Sequence, residues 1–265
     1  MMKNYKLFKG AWKSIDCNKE RELTAKECRE LLRSGGVLVR NVYDFDCNDN
    51  TSFWYVIKDS FGGMEELSSK KRNQVKKSFK MCDVRKVNRE EMIINSYDVY
   101  KESAKGYKIK AEVPSKESLT KRFSEKNAET HDYWAVYEKE NCKMIAFAIN
   151  GIHDDYISYD TMKAIPSYLR THYPYYGMIW EMNRYYLNER GYKFVNDGAR
   201  SITEHSNIQP FLIDTFNFRK AYCHLKLTYK WWLWLVVKIL YPFRKVIKGN
   251  LQAILKMEAM ARGEV

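Results

Sequence analysis

Two residues in the C-terminal half have side chains suited to proton transfer. His205 lies in the polar segment 199–206, between a predicted strand and a predicted helix. Its imidazole titrates near neutral pH without large adjustment, so it is the first candidate for a general base. Asp197 is the second candidate, because it ends a predicted strand and could orient His205 or a substrate hydroxyl. A surface or helix-capping histidine and a turn aspartate beside Gly198 are the alternative interpretations.

A second set of residues is suited to binding phosphate. The segment 170–178, RTHYPYYGM, leads into a predicted helix whose first backbone N–H groups and dipole favour an anion. Gly177 would allow a ligand to approach the backbone closely. The alternative is a turn packed with tyrosines that holds no ligand. The residues predicted to bind phosphate are Tyr175, Tyr176, Gly177 and Met178.

Alternating apolar residues and turn residues predict the elements that carry these sites. After residue 130 the pattern indicates strand, strand, strand, helix, strand, helix and strand. Gly191 fits the left-handed position that follows a helix. The predicted strands are Tyr133–Glu138, Lys143–Asn150, Tyr156–Met162, Lys193–Asp197 and Cys223–Tyr229, and the predicted helices are Tyr176–Glu189 and Ile208–Phe216.

The residues before 130 predict a separate half. Two short runs rich in β-branched and aromatic residues indicate strands that pair with each other. The charged segment 108–130 contains Pro114 and is the predicted boundary, which divides the chain into 1–130, 131–230 and a helical tail at 231–265. The predicted strands here are Val37–Val42, Phe53–Lys58 and Val84–Val87, and the helices are Lys70–Lys80, Arg89–Gly106 and Ser115–Lys126.

The tail has an uneven charge pattern. The chain has 46 Lys and Arg against 33 Asp and Glu, a net charge of +13, and nine of the basic residues lie between Thr215 and Met257, where no acidic residue occurs. The run WWLWLVVKILYPF at 231–243 is shorter than the roughly 20 apolar residues that cross a bilayer. Tryptophans beside cations are typical of a helix at an anionic membrane surface, and the predicted membrane-binding segment is 231–248. Packing on the protein's own core or on a second copy is the alternative.

Composition restricts the class of protein. Hydrophobic residues make up 45% of the 265 residues, with only 12 Gly and 5 Pro, which excludes a collagen-like or disordered chain. The six Cys form no CxxC pair and the five His lack the spacing of a zinc site, so we expect reduced thiols and no metal. The N-terminus has no apolar core of the length that a secretory signal needs. These features predict a cytoplasmic protein, peripheral at most on the inner face of the membrane.

Two segments resemble the helix, strand and helix of GNAT acyltransferases, and more closely those of the FemAB-like branch. Asn207 opens the last of these helices as in GNAT proteins, and Asn217 closes it where the family has Gly. Asn tolerates the left-handed conformation that this position needs. The basic helix and strand at 70–87 also resemble the N-terminal half of FemAB-like proteins. The two segments are YYGMIWEMNRYYLNERGYKFVNDG and DGARSITEHSNIQPFLIDTFNFRKAY.

The resemblance implies an α/β fold of the α+β type: a GNAT-like mixed sheet flanked by helices, in two GNAT-like halves, with a C-terminal amphipathic helical tail. It also implies an enzyme that uses acetyl-CoA or another acyl-CoA, whose thioester is attacked by an amine or hydroxyl of a sugar or other small acceptor. Such chemistry needs a general base, for which His205 and Asp197 are the candidates. It also needs hydrogen-bond donors. The resemblance then implies that Tyr222 donates a hydrogen bond in catalysis and that Ser201 and Asn207 bind the cofactor. The chain departs from the family at the cofactor turn, where Gly177 stands without further glycines.

Two alternatives stay open. A FemAB-type peptidyl transferase would take its acyl group from aminoacyl-tRNA and bind the RNA through the basic helix, although a solvated helix is the simpler interpretation of that charge. A non-catalytic membrane-associated adaptor would keep the fold and lose the cofactor. The acceptor, the acyl group and the oligomeric state are not determined by the sequence.

Overall fold

A computed structural model of the chain describes residues 4–106, 113–125, 129–202 and 207–264. The chain forms two compact units. The first unit combines residues 1–55, 199–204 and 220–265, and the second combines 56–198 and 205–219. Each unit is therefore assembled from pieces that are distant in the sequence.

Strands and helices make up most of the described residues. The strands are β1 (Tyr5–Phe8), β2 (Ala11–Ser14), β3 (Leu38–Tyr43), β4 (Phe53–Lys58), β5 (Cys82–Val87), β6 (His131–Glu138), β7 (Met144–Ile152), β8 (Tyr156–Ala164), β9 (Phe194–Ala199) and β10 (Arg219–Tyr229). The helices are α1 (Ala25–Ser34), α2 (Ser69–Met81), α3 (Arg89–Ala104), α4 (Lys116–Ser124), α5 (Pro174–Asn183), α6 (Ile208–Phe216), α7 (Trp231–Leu240) and α8 (Asn250–Ala261).

The second unit is built on a mixed sheet with helices on both faces. Strands β5, β6, β7 and β8 are antiparallel in that order, and β9 joins β8 in parallel. Because side chains alternate along a strand, β7, which is buried on both faces, must be covered from both sides. Phe147 and Ile149 pack against α3 and α4. Asn150 points the other way and contacts Met182 of α5.

The strands of the first unit also pair in a mixed pattern. Strands β1 and β2 are antiparallel, β2 and β3 are parallel, and β3 and β10 are antiparallel. Helix α1 begins at a capping box, in which Thr24 accepts from the Glu27 amide and the Glu27 side chain accepts from the Thr24 amide. Helices α7 and α8 pack through a buried cluster that includes Leu233 and Leu255.

Most of the predicted elements are present with small shifts at their ends. Gly191 and Asn217 both have the predicted left-handed conformation, with φ of 68° and 55°. One prediction about pairing is wrong: β3 pairs with β2 and β10, and not with β4. Helix α8 lies in the predicted helical tail, whereas three elements were not predicted, namely β1, β2 and α1.

No helix among the described residues has both the length and the apolar character required to cross a membrane.

Candidate functional site

Asp197 lies near the end of β9 in the second unit, and its environment gives it unusual acid–base chemistry. Burial raises the pKa of its carboxyl from the ordinary 3.8 to about 7, although a hydrogen bond from Gln209 of α6 favours the charged form. The next residue, Gly198, has a φ of 96° and turns the chain away from the strand. A carboxyl with a pKa near 7 can accept and release a proton at working pH.

Helix α6 contacts both Asp197 and Tyr176, one of the residues predicted to bind phosphate. Asn207 directly precedes this helix, as predicted, although its side chain makes no capping hydrogen bond. The ring of Tyr176 meets the rings of Phe211 and Phe216 of α6, with centroids 5.1 Å and 6.0 Å away. Helix α6 therefore contacts the carboxyl through Gln209 and the N-terminal turn of α5 through its aromatic face.

The N-terminal turn of α5 differs from an open phosphate cradle. Tyr173 precedes it with a φ of 52°, and Pro174 occupies its first position and so supplies no N–H. The amide of Tyr176 donates to the Tyr173 carbonyl, and Met178 is fully buried. Phosphate binding by 175–178 stays a prediction.

Close packing inside the second unit accounts for Gly177. A Cβ atom at this position would overlap the hydroxyl oxygen of Ser78 and would lie 3.0 Å from the Ser78 Cβ and 3.3 Å from Val84 Cγ2. Helix α5 can therefore approach α2 and β5 this closely only because residue 177 has no side chain. This requirement exists whether or not a ligand binds.

The remaining predicted residues belong to the first unit or lie outside the described part. Tyr222 on β10 is partly buried, and its ring meets the Trp54 indole edge-on at 6.2 Å. Ser201 is exposed in the segment after β9. His205, the first candidate for the base, lies outside the described residues, and so does its neighbour Glu204. The base candidate that the structure describes is therefore Asp197.

Sequence reasoning missed a buried polar network in the second unit. The Tyr186 hydroxyl accepts hydrogen bonds from Trp134 Nε1 at 2.8 Å and Asn150 Nδ2 at 3.2 Å and donates to Asp132 Oδ2 at 3.0 Å. Burial raises the pKa of Tyr186 well above its ordinary value, so the hydroxyl keeps its proton and its donor role. The network lies at a π-helical turn, Arg184–Glu189, that extends α5. No spacing in the sequence marks it.

A second missed feature is a buried ion pair at the end of β4. Lys58 is 2% exposed, and its ammonium lies 2.9 Å from Glu66 Oε2. The same oxygen accepts from the Gly62 amide, and Asn217 Nδ2 donates to the backbone carbonyl of Glu66. The pair thus ties β4 to the loop before α2 and to the end of α6.

Three side chains with metal-binding atoms lie together in the first unit. The sulfur of Cys47, a carboxylate oxygen of Asp49 and a ring nitrogen of His224 lie within 4.8 Å of one another. His224 Nε2 is 3.0 Å from Asp49 Oδ2, and the Cys47 amide donates to the Tyr222 carbonyl. These bonds already explain why the three groups are close, so their proximity alone does not indicate a metal.

Comparison with known proteins identifies the fold. No family model matches the sequence, and no curated protein matches it. Among solved structures, FemX matches with a TM-score of 0.55 at 10% identity over 74% of each chain. L-PGS from Bacillus licheniformis matches with a TM-score of 0.44 at 13% identity, over 89% of this chain and 77% of that one. The ribosomal-protein-S18-alanine N-acetyltransferase from Escherichia coli matches with a TM-score of 0.32 at 18% identity, over 42% of this chain and 63% of that one. The mixed sheets flanked by helices and the similarity to FemX together show that this chain has a GNAT-like fold of the FemAB type.

Proposed function

We propose that the protein is an acyltransferase that moves an acyl group, in the first instance acetyl, from acyl-CoA to an amine or hydroxyl of a sugar or other small acceptor. The observation that carries this proposal is Asp197, a partly buried carboxyl near a strand end whose pKa of about 7 suits a general base. The similarity of the fold to FemX supports it, as does the hydrogen bond between the carboxyl and Gln209 of α6.

The reaction requires one proton to leave the acceptor. As the amine or hydroxyl attacks the thioester carbonyl, the carboxylate of Asp197 takes that proton, the C–S bond breaks, and the thiolate of CoA leaves. Burial favours the neutral form of the carboxyl, so accepting a proton from the acceptor relieves an unfavourable charge. His205 and Tyr222 stay predictions as a further base and as a donor to the leaving sulfur.

Ligand-induced stabilisation tests the cofactor. A ligand that binds only the folded protein raises the unfolding midpoint, and acetyl-CoA at about one hundred times its Kd would add about 2.7 kcal/mol. We expect acetyl-CoA and CoA to raise the midpoint. We also expect Asp197→Asn to keep this shift while acetyl transfer falls by about 10²–10⁴. The absence of any shift at millimolar acetyl-CoA would contradict the cofactor assignment.

One surface favours the aminoacyl-tRNA alternative. Helix α2 has four exposed lysines and two further half-buried cations, and its first turn contains no acidic residue. A tRNA held there would lose affinity steeply with added salt, whereas CoA binding would change little. Measurement of both affinities between 50 and about 200 mM salt separates the two donors. The six cations are Lys70, Lys71, Arg72, Lys76, Lys77 and Lys80.

We further propose that the segment 231–248 binds an anionic membrane surface peripherally, on the cytoplasmic side. Leu233, Val237 and Tyr241 recur every four residues and are buried within the first unit. Residues between and on either side of them form an exposed apolar surface, which we name the tail surface. It comprises Trp231 (78% exposed), Trp232, Trp234, Leu235, Ile239, Phe243 and Val246 (74% exposed).

The chemistry of the tail surface fits the boundary between headgroups and acyl chains. Indole rings prefer that depth, and nearby lysines attract anionic lipid at about 1 kcal/mol each. Lys238, Lys245 and Lys248 are exposed beside the apolar residues. Because one side of α7 is buried and the other exposes apolar rings, we propose that α7 lies in the membrane plane.

Vesicle pelleting tests this proposal. Deleting the tail is unsuitable, because the buried side of α7 belongs to the core of the first unit. Trp231→Ser with Trp234→Ser removes exposed rings only, and should weaken binding to vesicles of anionic lipid at least tenfold. Ile94→Ser, which changes a 70% exposed residue of the second unit, is the matched control and should leave vesicle binding unchanged. Equal binding by both variants would refute the tail surface, and vesicle binding without any CoA or tRNA binding would favour the adaptor.

A further inference from the structure

A histidine of the second unit lies between a hydroxyl and a carboxylate. His172 belongs to the segment that connects β8 to α5. Its Nε2 atom is 3.1 Å from Oε1 of Glu138, the last residue of β6, and its Nδ1 atom is 2.8 Å from Oγ1 of Thr171. The hydroxyl is therefore within hydrogen-bond distance of the imidazole, and the imidazole is within hydrogen-bond distance of the carboxylate.

The carboxylate determines which nitrogen of the imidazole carries the hydrogen. Glu138 is 7% exposed, and its other oxygen accepts from the Tyr168 hydroxyl at 3.2 Å. Burial and the hydrogen bond to Glu138 raise the pKa of Tyr168, so its hydroxyl keeps its proton and its donor role. An ionised carboxylate can only accept, so in the neutral imidazole of His172 the hydrogen is on Nε2. The lone pair of Nδ1 then faces the Thr171 hydroxyl.

Backbone and ring contacts hold His172 in this position. Its amide donates to the Tyr168 carbonyl at 2.9 Å, and the Tyr168 ring meets the imidazole edge-on, with centroids 4.9 Å apart. The His172 carbonyl accepts from the sulfur of buried Cys82 at 3.9 Å. Burial raises the pKa of the Cys82 thiol to about 11, so this thiol stays protonated and is a poor nucleophile. Thr171, in contrast, is exposed, so a substrate can reach its hydroxyl.

We propose that Thr171 and His172, positioned by Glu138, form a second catalytic site that hydrolyses activated acyl esters through an acyl-threonine intermediate. A hydroxyl bonded to a histidine, whose other nitrogen is oriented by a carboxylate, is the arrangement that activates hydroxyl nucleophiles in acyl transfer. The inference goes beyond the proposed transferase activity, because it requires neither acyl-CoA nor Asp197.

The reaction has two steps. In the first, Thr171 Oγ1 bonds to the ester carbonyl carbon, the hydroxyl proton passes to His172 Nδ1, and the bond to the leaving oxygen breaks. The imidazolium then gives its proton to the leaving oxygen. In the second, water attacks the acyl-threonine ester and loses a proton to Nδ1, the acyl group leaves as a carboxylic acid, and the imidazolium returns the proton to Thr171 Oγ1. Glu138 stabilises the imidazolium in both steps.

Incubation of the full chain with p-nitrophenyl acetate tests the site. We expect release of nitrophenolate and, after an acid quench, an acetyl group on residue 171 in the peptide mass spectrum. Thr171→Val should remove the acetyl group and slow the release at least tenfold, whereas Thr171→Ser keeps a hydroxyl and should retain both. His172→Gln should slow acetylation of Thr171 by about 10², because it removes the general base. Glu138→Gln should slow it at least tenfold.

Thr130 provides the matched control. It is also exposed, and its hydroxyl oxygen lies 2.9 Å from Nδ1 of the following residue, His131. The Nε2 atom of that histidine is 3.8 Å from Asp160 Oδ2, which is longer than a hydrogen bond. Thr130→Val should therefore change nitrophenolate release less than twofold. Circular dichroism checks that each variant is folded. Acetylation confined to lysines, equal acetylation of both threonines, or unchanged release from Thr171→Val would each overturn the proposal.

The second catalytic site and the proposed transferase can fail separately. Because p-nitrophenyl acetate contains no CoA, acetylation of residue 171 in a protein that never binds acetyl-CoA supports the second site and contradicts the proposed cofactor. Binding of acetyl-CoA by a protein whose residue 171 stays unmodified by p-nitrophenyl acetate overturns the second site and leaves the proposed function standing.

Discussion

Replacing Asp197 with Asn should stabilise the protein at pH 8 and leave its stability unchanged near pH 4. In the unfolded chain the Asp197 carboxyl loses its proton near pH 3.8, whereas in the folded protein it keeps the proton up to about pH 7. Between these values the folded state binds more protons, so stability falls as the pH rises through this window. A shift of about three pKa units corresponds to about 4 kcal/mol as an upper limit, and the partial exposure of the side chain reduces this to roughly 2–4 kcal/mol.

Urea unfolding of the wild type and of Asp197→Asn, at pH 4 and at pH 8, measures this difference. Hydrogen exchange of the amides of β8 and β9 assigns the change to the second unit, since two units need not unfold together. Asp214→Asn is the control, because it neutralises an exposed carboxylate of α6. If Asp197→Asn has the same effect at both pH values, the carboxyl titrates normally and our assignment of a base near neutral pH is wrong.

Three further substitutions test the packing around the site. Gly177→Ala should destabilise the second unit by about 1–3 kcal/mol in spite of its better helix propensity, and Ser78→Gly in the same chain should restore most of this loss in thermal unfolding. Tyr186→Phe should lower the free energy of urea unfolding by roughly 1–3 kcal/mol, because the buried donors of Trp134 and Asn150 lose the hydroxyl that accepts from them. An unchanged midpoint would contradict the network. Lys58→Met should lower the free energy of unfolding by about 3–5 kcal/mol, because it leaves the Glu66 carboxylate uncompensated. Adding Glu66→Leu should recover stability. No recovery would show that the loss is not electrostatic.

Strong local patterns made much of the fold predictable. The apolar run of β7 and the Asn217 cap depend on neighbouring residues alone, and both are present. The short strands β1 and β2 were missed because β1 is mostly exposed, β2 is half-buried throughout, and neither carries an alternation. Helix α1 had a usable signal, the Thr24-x-x-Glu27 capping box, which precedes a clear amphipathic pattern.

Pairing and ionisation were less predictable, because both depend on neighbours that are distant in the chain. Strand β10 pairs with β3 although some 180 residues separate them, so two strands close in sequence were wrongly paired. The position of Asp197 at a strand end could be predicted, but its pKa could not, since the pKa depends on burial of the carboxyl in the folded chain.

The tail shows why one composition pattern can fit two interpretations. Its sequence is equally compatible with packing on the protein and with binding a membrane. The four-residue spacing of Leu233, Val237 and Tyr241 places one stripe of α7 in the core, and the stripe is too narrow to bury the three tryptophans. An exposed apolar surface of this kind beside lysines is costly in water unless a partner covers it. Our proposal therefore assigns the stability of the first unit and the binding of a membrane to different faces of one helix. Substitutions on the exposed face should then change vesicle binding while the unfolding midpoint stays the same.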